Sequence, residues 1–288
     1  MTAPLTLHEA AEQLGVHYMT AYRYVRLGLL GASKVGGTWQ VTAADIDAYR
    51  AENDTPAVAG SPRRRAPWAA RLEARLVAGD ARGAWGVVEA ALASGAEIDE
   101  VYLELITPAM QSIGERWATG ELDVSVEHRA TGIAFRLIGR LGPRFARRGR
   151  TRGAVVVGAP AGERHSLPVA LLADLLRGEG WEVSDVGVDM PPESFAHAAV
   201  HTADLVAVGV SVTSEACLEA AAQLLATLRD TLRSDVHLAV GGLAVRDEEH
   251  ALALGAHGWA ASAHDFARQL TERGLARPID GSDDEEFA

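Results

Sequence analysis

An acidic residue and a histidine stand two positions apart in a loop of small residues, at Glu163 and His165. A neutral imidazole is a good ligand for a borderline transition metal. A carboxylate two residues earlier can hold the other ring nitrogen and so fix the tautomer and orientation of the ring. The pair indicates a metal or cofactor site, and an ordinary loop histidine is the alternative interpretation.

The segment around this pair predicts a strand, a loop and a helix. Residues 154–157 form a short apolar, β-branched run, which is typical of a parallel strand buried on both faces. Pro168 suits a first helical position and opens an apolar helical stretch through Leu176. His165 is therefore expected at the carboxyl end of the first strand, where open α/β sheets bind their ligands.

The pattern of strand and helix continues to about residue 275 and predicts a doubly wound parallel sheet. Further strands are expected at 182–186, 205–210, 236–240 and 258–261, with helices at 193–201, 215–233, 245–254 and 265–273. The glycines do not form a dinucleotide fingerprint after the first strand, which argues against a nicotinamide enzyme. The other histidines of this region show no ligand spacing and are expected to be surface or packing residues: His197, His201, His237, His250, His257 and His264.

Residues 68–147 predict four helices, at 68–77, 81–93, 98–117 and 125–147. Because short connections join them, an antiparallel four-helix bundle is expected. Pro108 lies inside the third helix and should kink it. Trp117 ends that helix and Glu127-His128 begins the next, so the plain interpretation is a core tryptophan beside a solvated pair.

The loop at Glu163 resembles the cobalamin-binding domain, whose signature is an acidic residue, any residue, His, any two residues and Gly. Pro168 stands where that family has the glycine. The resemblance implies that His165 binds the lower face of cobalt. It also implies that small residues after the third and fourth strands give room to the nucleotide tail of the cofactor: Ser211, Thr213, Gly241 and Gly242.

The arrangement of Trp117, nine residues and Glu127-His128 resembles the helical cap of adenosylcobalamin-binding regulators. The resemblance implies that the bundle covers the upper face of the corrin, with these three residues around the adenosyl group. In the light-responsive members a histidine follows the tryptophan and binds cobalt after photolysis, whereas this chain has Ala118. His128 is a candidate substitute, so the sequence supports the dark state better than a bis-histidine light state.

The first fifty residues predict a winged helix-turn-helix. Thr6 and Glu9 can form a capping box at the start of a helix that ends at Gly15. A second helix is expected at 18–27, a hairpin around Gly36-Gly37 and a third helix at 43–49. The layout resembles the DNA-binding domain of excisionase and MerR-type regulators, and the alternative is a small domain that binds protein.

The resemblance implies which side chains of this domain contact DNA. Those expected at the major groove are Tyr18, Met19, Tyr22 and Arg23, and those expected near phosphates are Arg26, Lys34 and Thr38. Residues 1–65 hold seven Lys or Arg against six acids. Since so few basic residues imply a modest affinity for each copy, occupancy should require two or more copies on repeated half-sites.

Composition limits the remaining classes of protein. The chain has 288 residues, 48% of them hydrophobic and 23% charged, which is ordinary for two or three globular domains. Cys217 is the single cysteine, which excludes an internal disulfide. A net charge of −12 argues against nonspecific nucleic-acid binding by the whole molecule. The N-terminus does not resemble a signal peptide and no run suits a membrane span, so we expect a cytoplasmic protein without a membrane partner.

Five segments follow from these patterns. They are a DNA-binding domain at 1–52, a linker at 53–67, the helical cap at 68–150, the cobalamin-binding domain at 151–275 and an acidic tail at 276–288. Together they resemble the CarH-type group of B12-dependent photoreceptors in the MerR family. The resemblance implies a non-enzymatic, light-responsive transcriptional repressor. Its adenosylcobalamin state would control assembly into a dimer or tetramer, and thereby binding to operator DNA.

Two alternatives stay open. The first is a B12-sensing regulator that lacks the bis-histidine light state or carries a second chromophore, and Ala118 motivates it. The second is a corrinoid carrier for methyl transfer, in which the N-terminal domain binds a protein. Sequence-selective DNA retention separates a regulator from a carrier.

Overall fold

The computed structural model of the protein describes residues 5–14, 25, 30–35, 38–53, 67–147 and 149–276. The chain forms two units, one within residues 1–64 and one within residues 65–288. The helical region and the sheet region both belong to the second unit.

The first unit contains a small antiparallel sheet and two described helices. Its elements are β1 (Leu5–Thr6), α1 (Leu7–Leu14), β2 (Ser33–Val35), β3 (Thr38–Val41) and α2 (Ala43–Asn53). The sheet order is β1-β3-β2, and Val35 pairs with Thr38 across the predicted hairpin. The two-residue strand β1, which pairs with β3, was not predicted because so short an element leaves no alternation in the sequence.

The predicted capping box at the start of α1 is confirmed. The Thr6 N–H donates to Glu9 Oε2 at 2.7 Å, and the Glu9 N–H donates to Thr6 Oγ1 at 3.3 Å. Thr42 and Asp45 make the same reciprocal contacts at the start of α2. These bonds satisfy backbone donors that the first turn of a helix leaves without partners.

The helical region begins with α3 (Trp68–Val77) and α4 (Ala81–Ala93), whose bounds are the predicted ones. The predicted third helix is instead three pieces: α5 (Ile98–Glu100), a π-helical segment (Val101–Ile106) and α6 (Thr107–Ala118). The predicted fourth helix ends early, as α7 (Val124–Leu141), and a 3₁₀ turn (Gly142–Phe145) follows it. Apolar side chains of all these elements share one core.

Pro108 accounts for the irregular third helix. Proline has no N–H to donate to the carbonyl of Glu104, and its ring collides with that carbonyl in a regular α-helix. The chain widens into the π-helical segment just before Pro108 and resumes regular α-helix from Thr107. The expected disturbance is therefore present, but it lies in the turn before the proline.

The second region of this unit is a five-stranded parallel sheet. Its strands are β4 (Ala154–Gly158), β5 (Glu182–Asp185), β6 (Leu205–Ser211), β7 (His237–Gly241) and β8 (Gly258–Ala260), in the order β5-β4-β6-β7-β8. β4 lies inside the sheet and all its residues are buried, as its apolar run predicted. The doubly wound parallel sheet is confirmed.

Helices cover both faces of the sheet. They are α8 (Ser166–Gly178), α9 (Pro192–Val200), α10 (Leu218–Thr231, after a 3₁₀ turn Glu215–Cys217), α11 (Glu248–Ala253) and α12 (Ala263–Glu272). Side chains of α9 and α10 pack on one face of the sheet, and side chains of α8 and α12 pack on the other.

The predicted helix starts in this region differ from the observed ones by one to three residues, including those of α8 and α11. α8 begins at Ser166, so Pro168 is its third residue, a position where its missing N–H is still not needed for an intrahelical bond. α11 begins at Glu248 rather than at 245, because the Asp247 carboxylate accepts the His250 N–H at 2.8 Å and caps the helix there.

α8 joins the sheet to the helical region. One of its faces packs against the sheet through Val169, Ala173 and Leu176. Its other side, with Leu171 and Leu175, packs into the core of the helical region. The helix that begins directly after the Glu163 loop is thus shared by both regions.

Candidate functional site

The turn after β4 places Glu163 at the carboxyl edge of the sheet. Gly162 has a positive φ of 85°, and its N–H donates to the Asp189 carboxylate at 2.6 Å. The Asp189 N–H in turn donates to the Glu163 backbone carbonyl at 2.9 Å. These reciprocal bonds tie the turn to the loop after β5.

The Glu163 side chain is fully buried and accepts several hydrogen bonds. Its Oε1 accepts from the backbone N–H of His165 at 3.0 Å and contacts Nδ1 of the same residue at 2.5 Å. Its Oε2 accepts from the backbone N–H groups of Thr213 and Ser214, at 2.8 and 2.9 Å. Burial alone would raise the pKa of Glu163, but these hydrogen bonds lower it below its ordinary value, so the carboxylate is charged.

His165 presents its other ring nitrogen outward. A carboxylate only accepts hydrogen bonds, so the contact with Glu163 assigns the proton to Nδ1 and leaves the lone pair on Nε2. The side chain of His165 is 52% exposed, and the residue lies at the N-cap of α8. An outer carboxylate that fixes tautomer and ring direction is the arrangement that metal-binding histidines use.

Small residues after β6 and β7 surround a pocket at the same edge. The pocket has a volume of about 160 Å³ and is lined by Ser211, Gly241 and Gly242 together with Pro168 of α8. Gly242 has a φ of 102°, and a Cβ there would collide with the Val212 carbonyl. A Cβ on Gly241 would collide with the Ala260 carbonyl. Larger residues at both positions would therefore be excluded.

Of the predicted residues of the helical region, Glu127 and His128 are in contact with each other. The Glu127 carboxylate contacts His128 Nδ1 at 2.7 Å and accepts from the Thr131 hydroxyl at 2.7 Å. His128 is 74% exposed, and Trp117 is 44% exposed. Trp117 is therefore not the core residue of the plain interpretation, and Ala118 is the last residue of α6. The described side-chain hydrogen bonds of Glu127 and His128 remain within α7.

A buried polar contact links the two regions. The Tyr102 hydroxyl, in the π-helical segment, donates to Asp174 Oδ2 of α8 at 2.8 Å. Arg177 donates to Asp174 Oδ1 at 2.8 Å and to the Val183 carbonyl of the neighbouring strand at 3.1 Å. Burial, and then the hydrogen bond to Asp174, raise the pKa of Tyr102. The contact fixes the helical region on α8.

The residues predicted to bind DNA are not placed by the structure. Tyr18, Met19, Tyr22, Arg23 and Arg26 lie outside the described residues. The backbones of Lys34 and Thr38 belong to β2 and β3, but their side chains lie outside what is described. The assignment of these residues stays a prediction.

Sequence reasoning missed two contributors to the site, Ser214 and Asp189. Ser214 acts through its backbone N–H, which every residue except proline carries, so its type gives no signal. Thr213 was expected beside the nucleotide tail, and its backbone N–H donates to Glu163. Asp189 acts through its side chain and has a φ of 55°. Aspartate tolerates this conformation, and its position two residues before Pro191-Pro192 could have indicated a turn.

The arrangement meets the chemical needs of a corrinoid. An imidazole held by Glu163 stands at the carboxyl edge of the sheet, and a pocket lined by small residues lies at the same edge. Within the described part of the chain, no group of three or more His, Cys, Asp or Glu could hold a metal ion by itself. No described helix is long and apolar enough to span a bilayer.

Comparisons with known proteins agree with this geometry. Residues 68–141 and residues 153–266 each match a B12 binding domain family, and residues 4–54 match a helix-turn-helix domain family. The matches support a cobalamin or corrinoid cofactor and an N-terminal helix-turn-helix domain.

The similar proteins are corrinoid proteins. Trimethylamine corrinoid protein 1 of Methanosarcina acetivorans is 30% identical over 121 residues, which are 39% of this chain and 54% of that protein. The chain thus spans about half the length of this relative. A corrinoid protein of Desulfitobacterium hafniense is 25% identical over 177 residues, which are 58% of this chain and 79% of the relative.

A solved structure supports the fold. The monomethylamine corrinoid protein of Methanosarcina barkeri aligns with a TM-score of 0.60 at 21% identity, over 70% of this chain and 95% of that one. A helical B12-binding cap followed by a parallel-sheet domain is therefore the architecture of residues 68–266.

Proposed function

We propose that this protein is a transcriptional regulator whose adenosylcobalamin state controls its self-association and its binding to operator DNA. One observation carries the proposal: a helix-turn-helix match occupies the same chain as two B12 binding matches. A DNA-binding domain joined to a cofactor site gives the cofactor a means of acting on transcription. The resemblance to CarH-type regulators of the MerR family supports the further proposal that it is a light-responsive repressor.

In this proposal Nε2 of His165 would hold the cobalt of the cofactor. Glu163 holds the imidazole in the required tautomer and direction. Gly241 and Gly242 keep room for the nucleotide tail, since a side chain at either position would collide with backbone. Bound adenosylcobalamin would supply a cobalt–carbon bond that light can break. Trp117, Glu127 and His128 would contact the cofactor from the helical region.

α8 carries the signal between the regions. Its first turn follows His165 directly, and its outer face packs into the helical region. The Tyr102–Asp174 contact fixes that packing at one buried point. A change at Trp117, Glu127 and His128 would then shift the helical region on α8 and alter an interface between copies of the chain.

Assembly governs DNA binding in this proposal. A dimer or tetramer places several helix-turn-helix domains on repeated half-sites, and linked binding raises the overall affinity without new contacts. Tyr18, Met19, Tyr22 and Arg23 are the proposed base-reading residues. The residues proposed at phosphates are Arg26, Lys34 and Thr38.

A B12 sensor without photochemistry is the second candidate. Ala118 stands where light-responsive relatives have a cobalt-binding histidine, and His128 is largely exposed, with its Nδ1 held by Glu127. In this version the presence of cobalamin, with or without a second chromophore, controls assembly.

A corrinoid carrier is the third candidate, favoured by the corrinoid proteins among the relatives. The site would then present a methyl group to a partner enzyme. The N-terminal domain would bind a protein.

The test uses the full chain, purified in darkness with adenosylcobalamin. The absorption spectrum and the gel-filtration volume are recorded before and after green light. Retention of a pool of genomic fragments is measured in both states. A light-responsive regulator should show a changed spectrum, a changed elution volume and selective retention in one state only.

Other outcomes separate the candidates. An elution volume identical in darkness and after illumination contradicts light control. Selective DNA retention that depends on added cobalamin but not on light supports the sensor. Stable cobalamin binding without selective DNA retention supports the carrier and overturns the regulator.

A further inference from the structure

Two histidines on α9 stand four residues apart. Sequence analysis found no ligand spacing among the scattered histidines, but residues i and i+4 of a helix are neighbours on one face. The rings of His197 and His201 lie with their centroids 4.1 Å apart and their planes inclined by 37°. Both residues are exposed. The helix therefore brings two imidazoles together at the surface.

The tautomer of His201 is fixed. Its Nδ1 lies 2.8 Å from the backbone carbonyl of His197, and because a carbonyl only accepts, Nδ1 carries the proton. The lone pair is then on Nε2, which is free to bind a cation. A ring N–H donated to a backbone carbonyl is the outer support that metal-binding histidines commonly have.

Electrostatics at this position favour a cation. α9 ends at Val200, and His201 follows as its C-cap, so both rings belong to the last turns of a nine-residue helix. The C-terminus of a helix carries partial negative charge and stabilises cations. Among the described residues, no ion pair engages either imidazole.

We propose that His197 and His201 form a chelating site for a borderline divalent transition metal ion such as Zn²⁺, Ni²⁺ or Cu²⁺. Imidazole nitrogen is a preferred ligand for these ions. Two nitrogens that share one tetrahedral Zn²⁺ at about 2.0–2.1 Å stand roughly 3.3 Å from each other, which side-by-side rings can meet by small rotamer changes. Water completes the coordination.

This site is separate from the cobalamin site. The Glu163 loop lies at the carboxyl edge of the sheet. α9 starts near that edge, after β5, and runs back so that its end leads into the start of β6. His201 therefore lies toward the amino edge, and metal binding there is independent of the cofactor proposed above.

The test uses full chain purified without a histidine tag and treated with a chelator. Zn²⁺ and Ni²⁺ are titrated calorimetrically into wild type, His197→Gln and His201→Gln. His250→Gln is the matched control, because His250 is a histidine of another helix, α11. Thermal unfolding is followed with and without each ion, and all titrations are repeated with cobalamin bound.

Wild type and His250→Gln should bind one ion per chain at this site, and the ion should raise the unfolding temperature. Each α9 variant should lose at least about tenfold in affinity, since removing a ligand should cost no less than removing an outer-shell partner. Absence of binding to wild type would overturn the proposal. Unchanged affinity in His201→Gln, or an equal loss in His250→Gln, would do the same.

Discussion

Glu163 and Glu127 each hold Nδ1 of a histidine, at 2.5 Å and 2.7 Å, but in different surroundings. The Glu163 carboxylate is fully buried, whereas the Glu127 side chain is 23% exposed. The histidine partner of Glu163 is also less exposed than that of Glu127: the side chain of His165 is 52% exposed and that of His128 is 74% exposed. One contact type thus occurs once with a buried carboxylate in a loop and once on a helix surface.

Hydrogen bonding explains what the difference means. Glu163 accepts three backbone N–H bonds in addition to the His165 ring, and its donors come from two separate segments of chain. Beyond its own histidine, Glu127 accepts only from the Thr131 hydroxyl among the described contacts. These bonds hold the Glu163–His165 pair, called the lower pair, in one geometry. The Glu127–His128 pair, called the upper pair, can reorient at small cost, because water can replace its contacts.

The largest expected difference is in cobalamin affinity. Glu163→Gln removes the charge that four donors share and weakens the orientation of His165, so affinity should fall about 10–100-fold. Glu127→Gln should leave the dark affinity close to that of wild type. Cobalamin titration followed by absorption measures both, with circular dichroism as the control for folding. Equal losses in the two variants would break the comparison.

The second difference is in acid stability. The pKa of Glu163 is lowered, so its contribution is present above the unfolded pKa of about 4.3 and is lost as pH falls through the folded pKa. At pH 7, Glu163→Gln should cost roughly 1–3 kcal/mol of unfolding free energy. Urea unfolding at pH 7 and pH 4 should show the gap between variant and wild type shrinking at the lower pH. A gap that widens in acid would contradict the assignment.

A smaller effect is expected at Thr131, whose hydroxyl donates to Glu127 in the upper pair. Thr131→Val keeps the shape of the side chain but removes the hydroxyl that Glu127 accepts. Because Glu127 is partly solvated, the cost should be about 0.5–1 kcal/mol. Thermal unfolding measures it, and Thr119→Val, which removes an exposed hydroxyl of α6's C-cap, is the control. A cost as large as that of Glu163→Gln would mean that the upper pair is also rigid.

The smallest effect belongs to a third pair, Glu179 and His264, whose atoms lie 3.4 Å apart with both side chains nearly half exposed. The hydrogen bond to Glu179 raises the pKa of His264 despite partial burial. The stabilisation is complete below the unfolded pKa of about 6.5 and is lost as pH rises through the folded pKa. His264→Gln should cost at most roughly 0.5 kcal/mol at pH 6 and nothing at pH 9. Chemical unfolding of wild type and His264→Gln at pH 6 and pH 9 measures the two costs.

Sequence predicted the features that depend on neighbouring residues. Glu163 and His165 belong to one loop, and the run that forms β4 is apolar throughout, so pattern alone located them. The bonds from Thr213 and Ser214 join residues 50 and 51 positions apart through backbone groups, which no residue type reveals. The Tyr102–Asp174 contact joins residues 72 positions apart, and Tyr102 lies in the π-helical segment. Pro108 predicted a kink in this helix but not a π-helical segment.

The most direct test of the account compares the two histidines in the dark. Full chain, His165→Ala and His128→Ala are loaded with adenosylcobalamin, passed through a desalting column and examined by absorption. The account predicts that His165→Ala changes the spectrum and retains less cofactor, while His128→Ala matches wild type. An unchanged spectrum in His165→Ala, or the same change in both variants, would contradict the claim that His165, held by the buried Glu163 carboxylate, binds cobalt.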